Sequence, residues 1–300
     1  MLSSIAFTII SIASTSFTIL ITLPIIIILY IRLHRERVTV ILLSTNTYMG
    51  LLTFSIILLS TNINVLRADL SETSLVNTGG LTACQLLGFL VYERFGCCYS
   101  SFVLQALSRL LKVLYPKGTI LQSFTFNLVC IVIQWIVCFL LLLPSYIWRD
   151  LFYSLYELDY YCGIRYERLF YLWYVIFNIY VLPLTYMAMI YIRLMYHIRR
   201  GNLQLLQTQR GRSAQRNYVV IRRILCTMTV LALAGLPNVG LAILAYIKPN
   251  LSGYYYMYRI QWMVPAITMC TISIVLVFIT PQLKKVIMNA ERLDKQVMPT

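Results

Sequence analysis

The residues best placed to do chemistry lie in one stretch. Between Thr82 and Pro116 a mostly apolar run holds Cys84 near one end, Glu93 and Arg94 in its interior and Arg109 near the other end. Along a helix rising about 1.5 Å per residue, the 25 residues from Cys84 to Arg109 cover close to 40 Å. That is about the thickness of a bilayer with its headgroups. Glu93 and Arg94 then sit roughly 14–15 Å beyond Cys84, at a depth where charge is expensive and is either paired or functional. Neighbouring residues diverge by about 100° on a helix, so the two cannot both face one cavity squarely. They read either as a structural pair with polar groups on neighbouring spans or as ligand contacts.

Nothing catalytic accompanies them. The sequence has no His-Glu-x-x-His, no Gly-x-Ser-x-Gly and no P-loop pattern. His34 and His197 are the only histidines and have no partner at metal-ligand spacing. Intramembrane hydrolysis needs paired acids within apolar runs, and Glu93 is the single acid there. The expectation is no enzyme, no metal and no cofactor. Of the cysteines, Cys97, Cys98, Cys130, Cys138, Cys226 and Cys270 lie in apolar runs and read as small buried hydrophobes. Cys84 and Cys162 do not.

The elements that carry these residues follow from composition. The chain is 60% hydrophobic and 12% charged, with mean hydropathy +0.77. Soluble domains average about 25% charged. Too few polar residues are available to cover such a chain in water, so the class is a polytopic membrane protein. A net charge of +15 would suit nucleic acid, but the bases gather in alternate loops, as membrane topology requires, and no nucleic-acid partner is expected.

Runs of about 20 apolar residues suffice to span a bilayer. They fall at about 9–31, 39–63, 82–114, 123–147, 169–196, 218–247 and 255–279, in a single domain over residues 1–300. A short amphipathic surface helix is expected at about 281–292, carrying Lys284 and Lys285. No Lys or Arg precedes Arg32, and the first run is too long for a cleaved signal, so it reads as a retained span. Arg32, Arg35, Arg37, Lys112, Lys117 and the basic linker 199–216 occupy one set of loops, and most acids occupy the other. The positive-inside rule puts the basic set in the cytoplasm and the N-terminus outside. The linker and Arg222-Arg223 then face the inner leaflet or a cytoplasmic partner. Asn250-Leu251-Ser252 is a glycosylation sequon on the outer side. Cys84 and Cys162 both fall on that oxidising side, and no other cysteine lies in an outer loop. A disulfide between them is the favoured reading, with two unrelated thiols as the alternative.

Seven spans, an outer N-terminus and this cysteine pair resemble the rhodopsin-like (class A) G-protein-coupled receptors. The resemblance covers almost the whole chain. The Cys84-to-Arg109 spacing is similar to that of the family's third span. Arg109 stands where the arginine of the Asp-Arg-Tyr triplet stands, within Ser108-Arg109-Leu110. Trp135 matches the tryptophan of span four, Pro183 and Tyr191 the proline and tyrosine of span five, and Pro237 the proline of span six. Other marks are replaced. Gly235 stands where the span-six tryptophan is usual, and Ile272, Ser273 and Leu276 stand in place of Asn-Pro-x-x-Tyr. The span-two acid and the span-one Gly-Asn pair are absent.

The resemblance implies an all-α seven-transmembrane helix bundle at the plasma membrane. It would sense an extracellular small molecule or peptide and activate a heterotrimeric G protein by opening the cytoplasmic ends of its helices. Arg109 would then meet the G protein or Tyr191, and Ser108 in place of the acid implies a weaker inactive-state lock. The departures remove a sodium-regulated switch and a tryptophan toggle from what is implied. They suit a divergent receptor of chemosensory or peptide type. Val91, Tyr92, Glu93, Arg94, Arg259 and Trp262 are the candidate pocket residues. The many aromatics near the outer ends also suit an interfacial belt, and Arg259 equally suits a headgroup anchor. A small transporter, or a seven-span scaffold that no longer signals, are the alternative readings. The chain shows no half-to-half similarity of the kind common in transporters.

Overall fold

The computed structural model describes residues 2–71, 76–115, 120–156, 161–165, 168–204 and 257–279, together with 229–233, 235–236, 239–240, 243–244 and 246–248. Pro237, Asn250, most of the basic linker and the expected surface helix at 281–292 lie outside these residues. Four long helices come first: α1 (Leu2–Glu36), α2 (Thr39–Ser71), α3 (Val76–Leu114) and α4 (Phe124–Ile147). A short α5 (Arg149–Phe152) leads into β1 (Tyr153–Tyr156) and β2 (Tyr161–Ile164). Then α6 (Leu169–Ile176) passes through a π-helical turn (Phe177–Val181) into α7 (Leu182–Gln204). Short helical pieces within 229–248 and a final α8 (Met257–Ile279) complete the described chain.

Among the described residues, five segments are long and apolar enough to cross a membrane: Ile5–Arg35, Thr39–Leu70, Phe124–Ile147, Phe170–His197 and Arg259–Val277. They mark the protein as membrane-embedded. α3 is 39 residues long but is not apolar enough to join them, and its position supplies the reason. It packs against α2, α4, α7, the π-helical turn and both strands. A helix surrounded by protein can keep Gln85, Glu93, Ser101 and Ser108 because they are buried against other helices. Two other predicted boundaries shift. The second span, expected to end near 63, continues as helix to Ser71, and the residues between the fourth and fifth expected spans include a helical turn and two strands.

Local chemistry explains several elements. Ser123 caps α4 by accepting from the Phe126 N–H at 3.2 Å. On α1, Thr8, Ser11, Thr15, Thr18 and Thr22 fall at three- and four-residue spacing and are all buried. Thr15, Thr18 and Thr22 donate to carbonyls four residues back at 2.8 Å. Small side chains with their hydroxyls spent on their own helix let α1 lie close along α2. The π-helical turn precedes Pro183, which has no N–H and crowds the preceding carbonyls. The Leu182 N–H reaches back five residues to the Phe177 carbonyl instead.

The strands pair antiparallel, Tyr153 with Ile164 and Tyr156 with Tyr161, and every residue of β2 is buried. Cys162 on β2 is bonded to Cys84 on α3, with Cα atoms 5.5 Å apart. One turn further along α3, a Cβ added at Gly88 would lie 2.8 Å from the Cys162 carbonyl oxygen. Gly88→Val is therefore expected to lift the hairpin off α3 and cost about 1–3 kcal/mol. Thermal unfolding in detergent should read this as a lower midpoint, and an unchanged midpoint with the disulfide intact would refute the contact.

Candidate functional site

The hairpin roofs one end of the bundle. Tyr153 is buried beneath it and donates to Ser145 Oγ at 3.1 Å, while Ser145 donates to the Leu142 carbonyl at 2.7 Å. Burial pushes the Tyr153 phenol well above its ordinary range. Below the roof lies a cavity with about 50 Å³ free, lined by Tyr92, Phe95, Ile179, Tyr180, Gly235 and Gln261 among others. Among the described residues its lining includes no charged side chain. Aromatic and aliphatic walls with Gln261 and two phenols suit a small uncharged molecule. Tyr92 also meets Trp262 edge-on at 5.2 Å between ring centroids, and Trp262 in turn meets Tyr161 of the hairpin at 6.3 Å.

The cavity floor holds an arrangement that the sequence did not reveal. Tyr99 on α3 donates to the Leu231 carbonyl at 2.9 Å. Tyr180 in the π-helical turn donates to the Ala232 carbonyl at 2.7 Å. The two rings lie edge to face, 6.0 Å apart. A Cβ added at Gly235 would overlap the Tyr180 ring. The space opened by glycine at this position is thus filled by a tyrosine from another helix, and both phenols grip successive carbonyls of the 229–248 segment.

Glu93 and Arg94 turn away from this cavity, toward α4. Arg94 Nε lies 2.8 Å from Glu93 Oε2, and its guanidinium lies 4.8 Å from the centre of the Trp135 ring. Cys97 Sγ donates to Glu93 Oε1 at 3.2 Å. Trp135 Nε1 donates to Asn46 Oδ1 at 2.8 Å, Asn46 Nδ2 to Gln134 Oε1 at 2.8 Å, and Gln134 Nε2 to the Cys97 carbonyl at 3.1 Å. The pair is therefore part of a polar seam joining α2, α3 and α4. Val91 is buried in the main core and does not line the cavity.

Arg259 departs from both sequence readings. It is buried, and its guanidinium forms a two-armed pair with Asp69 at 2.6 and 2.8 Å and donates to Thr8 Oγ1 at 3.0 Å. Its acidic partner is thus internal, which the helical extension of α2 makes possible. With Trp262 it lines a small pocket that also includes Ser11 and Asn62.

At the opposite end of α3, Ser108 is buried and Arg109 is half-buried. Leu110 packs with Tyr191 and Leu194 of α7. The Tyr191 hydroxyl is buried with no hydrogen-bond partner among the described residues. Trp135 ties α4 to α2, and Pro183 sits at the bend into α7. Among the described residues no cluster suits a metal ion. No protein-family model matches the chain, and no curated protein matches it.

The Asp69–Arg259 pair gives a direct test. Asp69→Asn leaves a buried guanidinium without its counter-charge and is expected to cost about 3 kcal/mol. The double variant Asp69→Leu with Arg259→Met should recover most of that loss in thermal unfolding. Additive losses would show that the pair is not the source of the stability.

Proposed function

We propose that the protein is a seven-span plasma-membrane receptor with its N-terminus outside, which senses a small, uncharged extracellular molecule and couples to a heterotrimeric G protein. The observation that carries this reading is the division of labour along α3. One end is bonded to a hairpin that roofs an apolar, aromatic cavity. The other end carries Arg109 next to Leu110, which packs on Tyr191 of α7. Between them, Tyr99 and Tyr180 link the cavity wall to the backbone of the 229–248 segment.

Mechanistically, a ligand in the cavity presses on Tyr180 and Phe95. Displacing Tyr180 breaks its bond to the Ala232 carbonyl and releases the segment it holds. The cytoplasmic ends then part, and Arg109 is freed to face the G protein.

Arg109→Ala is expected to lower guanine-nucleotide exchange on added G protein by at least about tenfold at equal surface expression, equivalent to ~1.4 kcal/mol. Equal exchange with both proteins, or solute flux in liposomes, would turn the reading toward a scaffold or a transporter. Tyr180→Phe should act in the opposite sense. Losing one hydrogen bond of about 1 kcal/mol raises basal exchange roughly fivefold if that bond restrains the segment. Unchanged basal exchange would remove Tyr180 from the mechanism.

A further inference from the structure

A second cavity lies on the flank of the bundle, between α3, α4 and α7. It holds about 340 Å³ and is lined by Gly96 and Ser100 of α3, Gln134 and Cys138 of α4, Asn178 of the π-helical turn and Tyr186 of α7, among others. That volume falls in the range of small-molecule sites, and it is several times the free space beneath the hairpin. Gly96, Ser100 and Cys138 are small, and the π-helical turn interrupts the regular helix just before Pro183.

Three features define what fits. The first is the opening. The rim residues Leu107, Ile133, Val137 and Tyr186 are exposed on apolar helix faces, so the groove is reached from the hydrocarbon of the bilayer. The second is the lack of charge, since no Asp, Glu, Lys, Arg or His is among the described residues that line it. The third is a polar spot at depth. Asn178 lies nine residues into the segment that begins at Leu169, about 14 Å along the helix. Its Nδ2 donates to the Tyr174 carbonyl at 2.7 Å, which leaves Oδ1 as an acceptor in apolar surroundings. Such an acceptor is costly unless it is met by a donor. Phospholipids keep their polar atoms at the membrane surface and cannot supply a donor at that depth. A lipophilic alcohol can.

We infer that this groove is a binding site for an uncharged, membrane-dissolved alcohol of terpenoid size, whose hydroxyl donates to Asn178 and whose hydrocarbon body lies along Val103, Leu104 and Val137. The site is separate from the cavity under the hairpin. Its occupancy is read without any signalling assay, so it stands or falls independently of the receptor reading.

The test uses the full chain in lipid nanodiscs and a photoreactive, clickable farnesol analogue. Saturable labelling is expected, with adducts on peptides from α4 and α7. Farnesol should compete at least about tenfold better than its hydrocarbon counterpart farnesene, because the hydroxyl forms one hydrogen bond within apolar surroundings. Asn178→Leu should abolish that preference. Val137→Trp or Leu107→Trp, either of which fills the groove from its exposed rim, should remove saturable labelling while leaving the Cys84–Cys162 bond and the unfolding midpoint unchanged.

Non-saturable labelling, equal competition by farnesene, or labelling that survives both tryptophan variants overturns the proposal. Equal competition by a phosphatidylcholine would make the groove an acyl-chain channel. Crosslinks to a second copy through α4 would make it a helix-packing face. Either result also overturns the proposal.

Discussion

In an apolar solvent every polar group must find its partner inside the protein, and the arrangement of this bundle follows from that requirement. α3 carries more charged side chains than α2, α4 or α7, and it takes a position with protein on most sides. Gln105 on α3 donates to Thr47 at 2.5 Å and to the Leu43 carbonyl at 3.3 Å, both on α2. The Asn46–Gln134–Trp135 chain satisfies three polar side chains with one another across α2 and α4. On α1, Thr15, Thr18 and Thr22 bond to carbonyls of their own helix. Each helix is thus placed by how much polarity it must hide, and α4, with its largely exposed apolar surface, is left at the periphery.

Packing obeys a matching rule of volume. Interiors are dense enough that a missing side chain must be replaced by something. Gly235 removes a large group from the segment at 229–248, and Tyr180 enters from another helix to occupy the space. The exchange is more than steric. A phenol brings a hydroxyl, which must bond when buried, and the bond it finds is a backbone carbonyl of the same segment. Tyr48 behaves similarly on α2, reaching the Ser273 carbonyl of α8 at 3.4 Å. In both places a side-chain donor holds another helix by its backbone, so the contact does not depend on which side chains the held helix carries.

Much of this was legible in the sequence, for reasons that also mark the limits. Apolar runs located the helices because hydropathy reports what faces hydrocarbon. The same signal stops where the membrane does, so it missed the last turns of α2, where Asp69 finds Arg259. The cysteines outside the apolar runs pointed to the bond that the structure contains. Glu93 and Arg94 were conspicuous as charges at depth, but their direction toward Trp135 depends on helix rotation, which no single run of residues reveals. The strands at 153–156 and 161–164 leave little mark in the sequence because their tyrosines blur the alternation of inward and outward positions. Tyr180 looked like one aromatic among many. Its role depends on Gly235, 55 residues away in sequence, and such a pairing has no local signature.

The bond between Cys84 and Cys162 also has a mechanical meaning. It welds the hairpin to one extremity of α3, while the other extremity meets α7 through the small cluster of Leu110, Tyr191 and Leu194. A rod covalently pinned at one tip and held only by non-covalent packing at the other has the geometry of a lever. With an arm close to 40 Å, a tilt of about 8° around the weld carries the free tip through roughly 5 Å, one full helical pitch. Sub-ångström adjustments near the fulcrum are thereby geared up into displacements large enough to open a crevice, and the gearing runs in one direction, away from the covalent pin.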